Sequence, residues 1–440
     1  MKELIPYHYK LYGDYVNKEK MLPSKLDGLL TVHRRLLVTL HLVANNEYTK
    51  TAKVLGELMA RFHPHTIDVK VPGTLVKNDL ADGQGNWGTY FGSDHTEPAA
   101  PRYTSIKANK FIENIALKYV RDIPWEYSES DPEPKILPSA FPLCLLGKFE
   151  LDTMGFGFKC NIPVFEKKDL YKRLLFLLGH RKTEPIIKPI IDNGGCEILS
   201  SDSDIKKILN TGEGSLDIKG TYTINENKKE IIVHGWSSRR TFGNLLSKIN
   251  KPHNILDNGD VAYIDISEKN KTAIMFHVIK KRNTEDIFNK LKESVENALY
   301  AKINYSAYVV NEKSEVELAS IDSMLLMAYK YYTYAMKTNA ENNIKKLNNS
   351  INELKIIKKM KPHLSDYMKK YKDINDCLKE LSKKIQEPEE DLIKIVDKYK
   401  IKKLLTTSVD TTELNDKLSF YKEKIKDPSK TALEEYKDYI

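Results

Sequence analysis

Across the first 125 positions, apolar residues recur near helical spacing between Gly-rich turns. Leu26, Leu29, Leu30, Leu36, Leu37, Leu40 and Leu42 surround the basic tripeptide His33-Arg34-Arg35 and predict one amphipathic helix. Thr51 to Phe62 predicts a second, with Val54, Leu55, Leu58 and Met59 on one face and His63-Pro64-His65 as the breaker at its end. Two helices with a basic, His-rich junction fit a helix-turn-helix unit. From Pro132 to Pro163 the punctuation by Pro and Gly predicts loops and short strands. A helix is expected over Leu170 to Leu178. Thr221–Asn225 and Glu230–His234 alternate toward strands around a turn, and Ala262–Ile266 with Ala273–Ile279 predicts another antiparallel pair.

Beyond about residue 320 the pattern changes to long, Lys-rich helices. Ile344, Leu347, Ile351 and Leu354 step by three and four, as do Leu364, Tyr367, Tyr371, Ile374, Leu378, Leu381 and Ile385, with Pro362 and Pro388 expected to separate the runs. The spacing suits coiled-coil-like helices and equally a helical bundle with solvated lysines; neither reading carries chemistry. After Pro388, Leu392, Ile395, Leu404 and Leu405 form an apolar cluster ahead of a final helix expected over residues 413–425. The chain therefore reads as an α+β multidomain protein with segments 1–125, 126–318 and 319–440.

Composition sharpens this only in places. A length of 440 residues with 41% hydrophobic content exceeds what one core organises and suggests two to four units. The net charge of +9 favours polyanionic partners without requiring one. Cys144, Cys160, Cys196 and Cys377 stand far apart with no CxxC pair, which argues against a zinc site or a disulfide framework. No apolar h-region opens the chain and no stretch approaches a membrane span, so a cytoplasmic protein is expected, in a bacterial cell or in a host cell if phage-encoded.

The chemically informative segment is Leu80-Ala-Asp-Gly-Gln-Gly-Asn-Trp-Gly88, followed by Ala99-Ala-Pro-Arg-Tyr-Thr104. Taken alone, Gly83, Gly85 and Gly88 indicate a tight turn, and an Arg beside a Tyr is an ordinary dipeptide. Upstream, however, stand Leu22-Pro23, Asp27-Gly28-Leu29, Val32-His33-Arg34-Arg35 and Arg61-Phe62-His63-Pro64-His65. In this order and near this spacing the set resembles the type IIA DNA topoisomerase signature of the gyrase A and topoisomerase IV A subunits: LPxxxDGLxxVHRR, YHPHG, DGQGNFG and AAxRYT. Weaker echoes follow at Leu137-Pro138, Phe141-Pro142, Asn161-Ile162-Pro163, Thr211-Gly212-Glu213-Gly214 and Ile231-Ile232-Val233-His234.

The resemblance implies a winged-helix domain, a tower-like α+β domain, and long coiled-coil helices ending in a dimer gate. It implies Tyr103 as the nucleophile on the DNA backbone. A protein nucleophile stores the phosphodiester energy covalently, so rejoining needs no activation. Arg102 would stabilise charge at the reacting phosphorus, and His63 and His65 would assist proton transfer or contact the scissile phosphate. Lys20, His33, Arg34, Arg35, Gln84 and Asn86 would bind DNA. Met154, counted back from Asn161-Ile162-Pro163, falls where relatives insert an apolar wedge between base pairs. Leu392, Ile395, Leu404 and Leu405 would form the gate contact, with only intramolecular packing as the alternative.

By the same resemblance the chain would be a homodimer cutting double-stranded DNA in a heterotetramer with an ATPase/Toprim subunit. That partner would bind both ATP and Mg²⁺, since no ATP-binding or Toprim motif and no metal site of this chain's own is recognisable. The product would be relaxed or decatenated DNA, an isomerase activity. Without a β-rich wrapping tail, the phage-type medium subunits are the nearer comparison. The sequence also departs from the pattern: Thr66 follows His65 where the family has Gly, and Leu30-Thr31 replaces Lys-Pro. Only seventeen positions separate His65 from Asp82, with Pro72-Gly73 between them, so a shortened or remade recognition helix is expected. A non-catalytic DNA-binding architectural protein built on this fold is the alternative.

Overall fold

The computed structural model describes residues 4–44, 46–89, 96–127, 131–192, 195–268, 271–406 and 408–440. They form two compact units, residues 1–332 with 435–440 and residues 333–434.

The first unit begins with helix α1 (Leu4–Val16), a π-helical turn over Asn17–Met21, and α2 (Thr31–Val43). Leu36, Leu37, Val38 and Leu40 of α2 are buried, whereas Leu26, Leu29 and Leu30 lie in the turns before it, so the predicted apolar run is only partly helical. Strand β1 (Thr49–Lys50) leads into α3 (Thr51–Arg61), whose Val54, Leu55 and Leu58 are buried as the periodicity required. Helix α4 (Lys70–Lys77) is eight residues long and accepts Pro72 in its first turn, where no intrahelical donor is needed. Strands β2 (Ala81–Gln84) and β3 (Ser105–Ala108) close a three-stranded antiparallel sheet of order β1-β3-β2, with Gln84 opposite Ser105. A short helix α5 (Lys110–Ile112) and the hairpin of β4 (Trp125–Tyr127) and β5 (Pro132–Pro134) follow.

The rest of this unit carries two larger antiparallel sheets. Strands β6 (Leu151–Met154) and β7 (Lys159–Ile162), helix α6 (Lys167–Leu177), strand β8 (Cys196–Ile198), helix α7 (Asp202–Thr211) and strand β9 (Glu213–Gly220) come first. Then come β10 (Tyr222–Asn225), β11 (Glu230–Val233), α8 (Phe242–Asn250), β12 (Val261–Asp265), β13 (Ile274–Val278), α9 (Thr284–Leu299) and β14 (Tyr300–Ser306). One sheet has the order β6-β7-β14-β9-β8 and the other β10-β11-β13-β12. Ile231, Val233, Ile274 and Phe276 bury one face of the second sheet against Leu245 and Ile249 of α8 and Phe288, Leu291 and Val295 of α9. The two strand pairs read from alternation are thus present and antiparallel. A small hairpin of β15 (Tyr308–Val310) and β16 (Val316–Leu318) precedes the long helices.

Helix α10 runs from Ile321 to Lys370 and includes Pro362, so the proline does not separate two helices as expected. Pro362 removes one backbone donor, but Ile357, Met360 and Leu364 on either side bury into one core, which holds the helix through it. In the second unit, α11 (Ile374–Ile385), α12 (Glu389–Tyr399) and α13 (Ile401–Thr406) complete that core through Leu378, Leu381, Leu392, Ile395 and Leu404. The expected gate cluster is therefore mostly intramolecular packing: Leu392, Ile395 and Leu404 are buried in one chain and only Leu405, 46% exposed, faces outward. Helix α14 (Thr412–Lys426) is the expected last helix, and α15 (Pro428–Asp438) extends beyond it.

Candidate active site

Tyr103 sits on the turn that enters β3, and that turn is anchored to the N-terminal end of α3. The amide of Thr51 donates to the Thr104 carbonyl at 3.1 Å and that of Ala52 to the Pro101 carbonyl at 3.2 Å. Thr104 and Thr51, both fully buried, share a hydroxyl–hydroxyl hydrogen bond of 2.8 Å. Two donors otherwise left open at a helix start are thereby used to fix a loop. Tyr103 itself is 61% exposed, and the Arg102 guanidinium lies 4.7 Å from its ring centre. The phenol is thus exposed with a permanent positive charge beside its ring.

The Gly-rich segment supports this turn from the other side. Gly85 has φ +100°, and a Cβ there would come within 2.9 Å of the Tyr103 carbonyl, so only glycine fits this approach. Asn86 accepts from the Gly88 amide at 2.9 Å through its side chain and from the Ala99 amide at 3.0 Å through its carbonyl. Trp87 is buried and donates to the Gln84 carbonyl at 3.2 Å. The side chains of Gln84 and Asn86 remain on the exposed rim. Candidate residues Gln84, Asn86, Arg102 and Tyr103 thus belong to one constellation.

A second cluster gathers after α3. Arg35, buried on α2, is held bidentate by Glu133 of β5, with both N–O distances 2.7 Å, and its Nη1 lies 3.0 Å from Nδ1 of His63. His65 packs edge-on to His63 with ring centres 5.3 Å apart. Arg61 pairs with Asp131 at 2.9 Å on the same side. At a rise of about 1.5 Å per residue, the two ends of α3 are about 15 Å apart, so the tyrosine turn and the histidines occupy opposite ends of one helix.

The remaining expected site residues fall elsewhere. Arg34 is buried in an ion pair with Asp27, at 2.6 Å and 3.1 Å, and Asp27 also accepts the amides of Leu29 and Leu137. His33 lines a cavity of about 370 Å³ beside Lys70, Lys77 and Phe149, and burial lowers its pKa to about 4, which keeps the ring neutral. Lys20 is exposed on the π-helical turn, 6.0 Å from the Tyr15 ring. Met154 ends β6 at 71% exposure, and the hairpin that carries it is clamped by Asn17, which bonds both polar groups of the Phe156 backbone at 2.7 Å and 3.0 Å.

Residues 20–439 match the model of the family described as the A subunit of DNA gyrase/topoisomerase IV. The chain belongs to this family. Among relatives of the gyrase/topoisomerase IV A family, the A subunit of DNA gyrase from Halalkalibacterium halodurans is 28% identical over 334 residues, 70% of this chain and 39% of that protein. The A subunit of DNA topoisomerase 4 from Rickettsia bellii is 34% identical over 248 residues, 52% of this chain and 32% of that protein. The A subunit of DNA gyrase from Brachyspira hyodysenteriae is 30% identical over 245 residues, 50% of this chain and 28% of that protein. The matched region thus spans well under half the length of these curated relatives.

Sequence reasoning does not find Thr51, Thr104, Asp27 or Glu133 as parts of the site. Thr104 and Asp27 lie inside the quoted motifs and are open to suspicion; Thr51 and Glu133 carry no local signal. Among the described residues no three His, Cys, Asp or Glu side chains converge to hold a metal ion, and no helix is long and apolar enough to cross a membrane.

Proposed function

We propose that this chain is the DNA-breaking and rejoining subunit of a type IIA topoisomerase, and that Tyr103 is its nucleophile. The observation that carries this reading is the exposed Tyr103, with Arg102 against its ring, on a turn pinned to α3 and backed by the Gly85 contact. The Tyr103 oxygen bonds to a backbone phosphorus as the phosphorus–sugar oxygen bond breaks; the phenolic proton passes to solvent, and the sugar oxygen takes a proton from solvent and leaves as a hydroxyl. Reversal restores the DNA without an outside energy source. Arg102 donates to the non-bridging oxygens as charge gathers on them.

In this reading α2, α3, α4 and the three-stranded sheet are a winged-helix domain, and the two larger sheets are the tower. Lys20, Gln84 and Asn86 touch the DNA, Met154 is the wedge, and His63 and His65 meet a phosphate of the same duplex. Arg34 is assigned to the fold rather than to DNA, because its guanidinium is committed to Asp27. A double-strand break needs two tyrosines, hence a homodimer, whose gate contact is placed on the outward face carrying Leu405. Mg²⁺ and ATP are assigned to an ATPase/Toprim partner, and the complex to the cytoplasm where its DNA lies; the metal, when bound there, would supply Lewis-acid stabilisation of the phosphate.

The test uses the chain together with its ATPase/Toprim partner on supercoiled plasmid. Tyr103→Phe should abolish the covalent protein–DNA complex trapped by detergent while DNA affinity stays within about twofold. Arg102→Ala should lower cleavage on the order of 10²-fold. Covalent trapping by the Phe variant would overturn the assignment of the nucleophile.

A further inference from the structure

The contact between Arg35 and His63 decides more than proximity. A guanidinium has five N–H donors and no acceptor, so the 3.0 Å approach of Arg35 Nη1 to His63 Nδ1 has one chemical meaning: Nδ1 accepts. An accepting Nδ1 carries no proton, and in a neutral imidazole the proton then sits on Nε2. The imidazolium form would set an N–H against the Arg35 N–H and a second positive charge against the first. Arg35 cannot relieve this by moving, because Glu133 grips its other side with two bonds of 2.7 Å and the pair is buried. Among the described residues, Arg61, paired with Asp131, and His65, edge-on to the ring, are further charged or titratable groups at this end of α3.

We infer that Arg35, held by Glu133, fixes His63 as the neutral tautomer protonated on Nε2, so that the ring is a hydrogen-bond donor and not a base. Arg35 and Glu133 are positioning residues in this arrangement. The role toward DNA rests on the topoisomerase reading: a preset Nε2–H can donate to a phosphate oxygen, but it has no lone pair with which to take a proton from Tyr103. The placement of the tyrosine turn at the far end of α3 agrees with that division. The tautomer does not depend on the reading and can be measured without it.

The decisive measurement is ¹⁵N–¹H correlation spectroscopy of the full chain with ¹⁵N-labelled histidine rings, with His63 assigned by the loss of its signals in His63→Asn. At neutral pH, Nδ1 should appear as an unprotonated, acceptor nitrogen and Nε2 as a protonated one. Glu133→Gln should loosen Arg35 and bring in a second tautomer or the imidazolium. A His63 ring that carries its proton on Nδ1, or is doubly protonated at neutral pH in the unsubstituted chain, overturns the inference.

Cleavage supplies the second arm. With the ATPase/Toprim partner present, His63→Gln keeps a side-chain N–H donor and should retain cleavage within about tenfold, whereas His63→Leu should lose on the order of 10²-fold. A Gln variant as inactive as the Leu variant would show that ring basicity is required and would also overturn the inference. Failure of the topoisomerase reading itself would appear differently, as no covalent trapping on DNA by the unsubstituted chain with its partner, while the His63 spectrum still shows the Nε2-protonated ring.

Discussion

Thr104 and Thr51 are joined through their hydroxyl groups at 2.8 Å in a fully buried setting, one residue beyond Tyr103 and at the first position of α3. Removing one partner strands the other. Thr104→Val or Thr51→Val should cost about 1–3 kcal/mol of stability, while the double variant should recover part of that loss because neither hydroxyl is then left alone. On the proposed function the turn aims Tyr103, so each single variant should slow cleavage on the order of tenfold or more at nearly constant DNA affinity, and Thr104→Ser should restore it. A double-mutant cycle in thermal unfolding, run beside a cleavage assay, checks both parts. Additive stability losses would show that the hydroxyl contact carries no coupling.

Asp27 and Arg34 make the corresponding prediction for a motif whose resemblance implies DNA binding. The Asp27 carboxylate is fully buried and accepts from Arg34 and from the amides of Leu29 and Leu137. Arg34→Ala would leave it charged and without its cation, a loss of about 3–5 kcal/mol. The expected result is a large fall in melting temperature without any DNA present. Lys20→Ala, at an exposed position, should leave the melting temperature in place and weaken DNA binding, with a shallower dependence on salt. An Arg34→Ala protein as stable as the parent would return Arg34 to the DNA contacts.

These cases show where the sequence can be read and where it cannot. Helix α3 is legible to within a residue, because its apolar spacing and its His-Pro-His terminator are local. The pairs β10–β11 and β12–β13 are visible for the same reason, since alternation and a short turn define a hairpin by themselves. The tyrosine turn is legible as a motif. Its supports are not: Thr51 lies 53 positions from Thr104 and Glu133 lies 98 from Arg35, and no periodicity links residues that meet only after folding. Pro362 and the Leu392 cluster mislead for a related reason. Whether a proline ends a helix, or an apolar stripe faces a second chain, depends on what packs around it, and here Ile357, Met360 and Leu364 absorb both.

Met154 combines exposure with a rigid base, as a wedge requires. It is 71% exposed at the end of β6, while Asn17 clamps the adjoining Phe156 backbone. Met154→Ala should therefore change the melting temperature very little, since exposed substitutions usually fall within about 0.5 kcal/mol. On the proposed wedge role, DNA bending, followed by energy transfer between dyes at the ends of a short duplex, should decrease. Unchanged bending by this variant would move the wedge to another residue.

The last prediction concerns pH and sits behind the β6–β7 hairpin. Glu150 accepts a 2.5 Å hydrogen bond from the Tyr305 hydroxyl, and burial raises its pKa from 4.5 to about 7, with Asp192 and Asp152 adding repulsion and Arg239 opposing it. Because the folded protein holds this proton more tightly than the unfolded chain does, its stabilising contribution is complete below the unfolded value of 4.5 and is lost as pH rises through about 7. Glu150→Gln supplies an oxygen that still accepts from Tyr305 and never ionises. Its melting temperature should thus fall less than that of the parent between about pH 5 and pH 8, with the two curves closest at the acid end. Thermal unfolding across this range without DNA is the measurement. Parallel curves would mean that Glu150 is already ionised in the folded protein at pH 5, and the carboxylate would then have to draw compensation from Arg239 in excess of its burial.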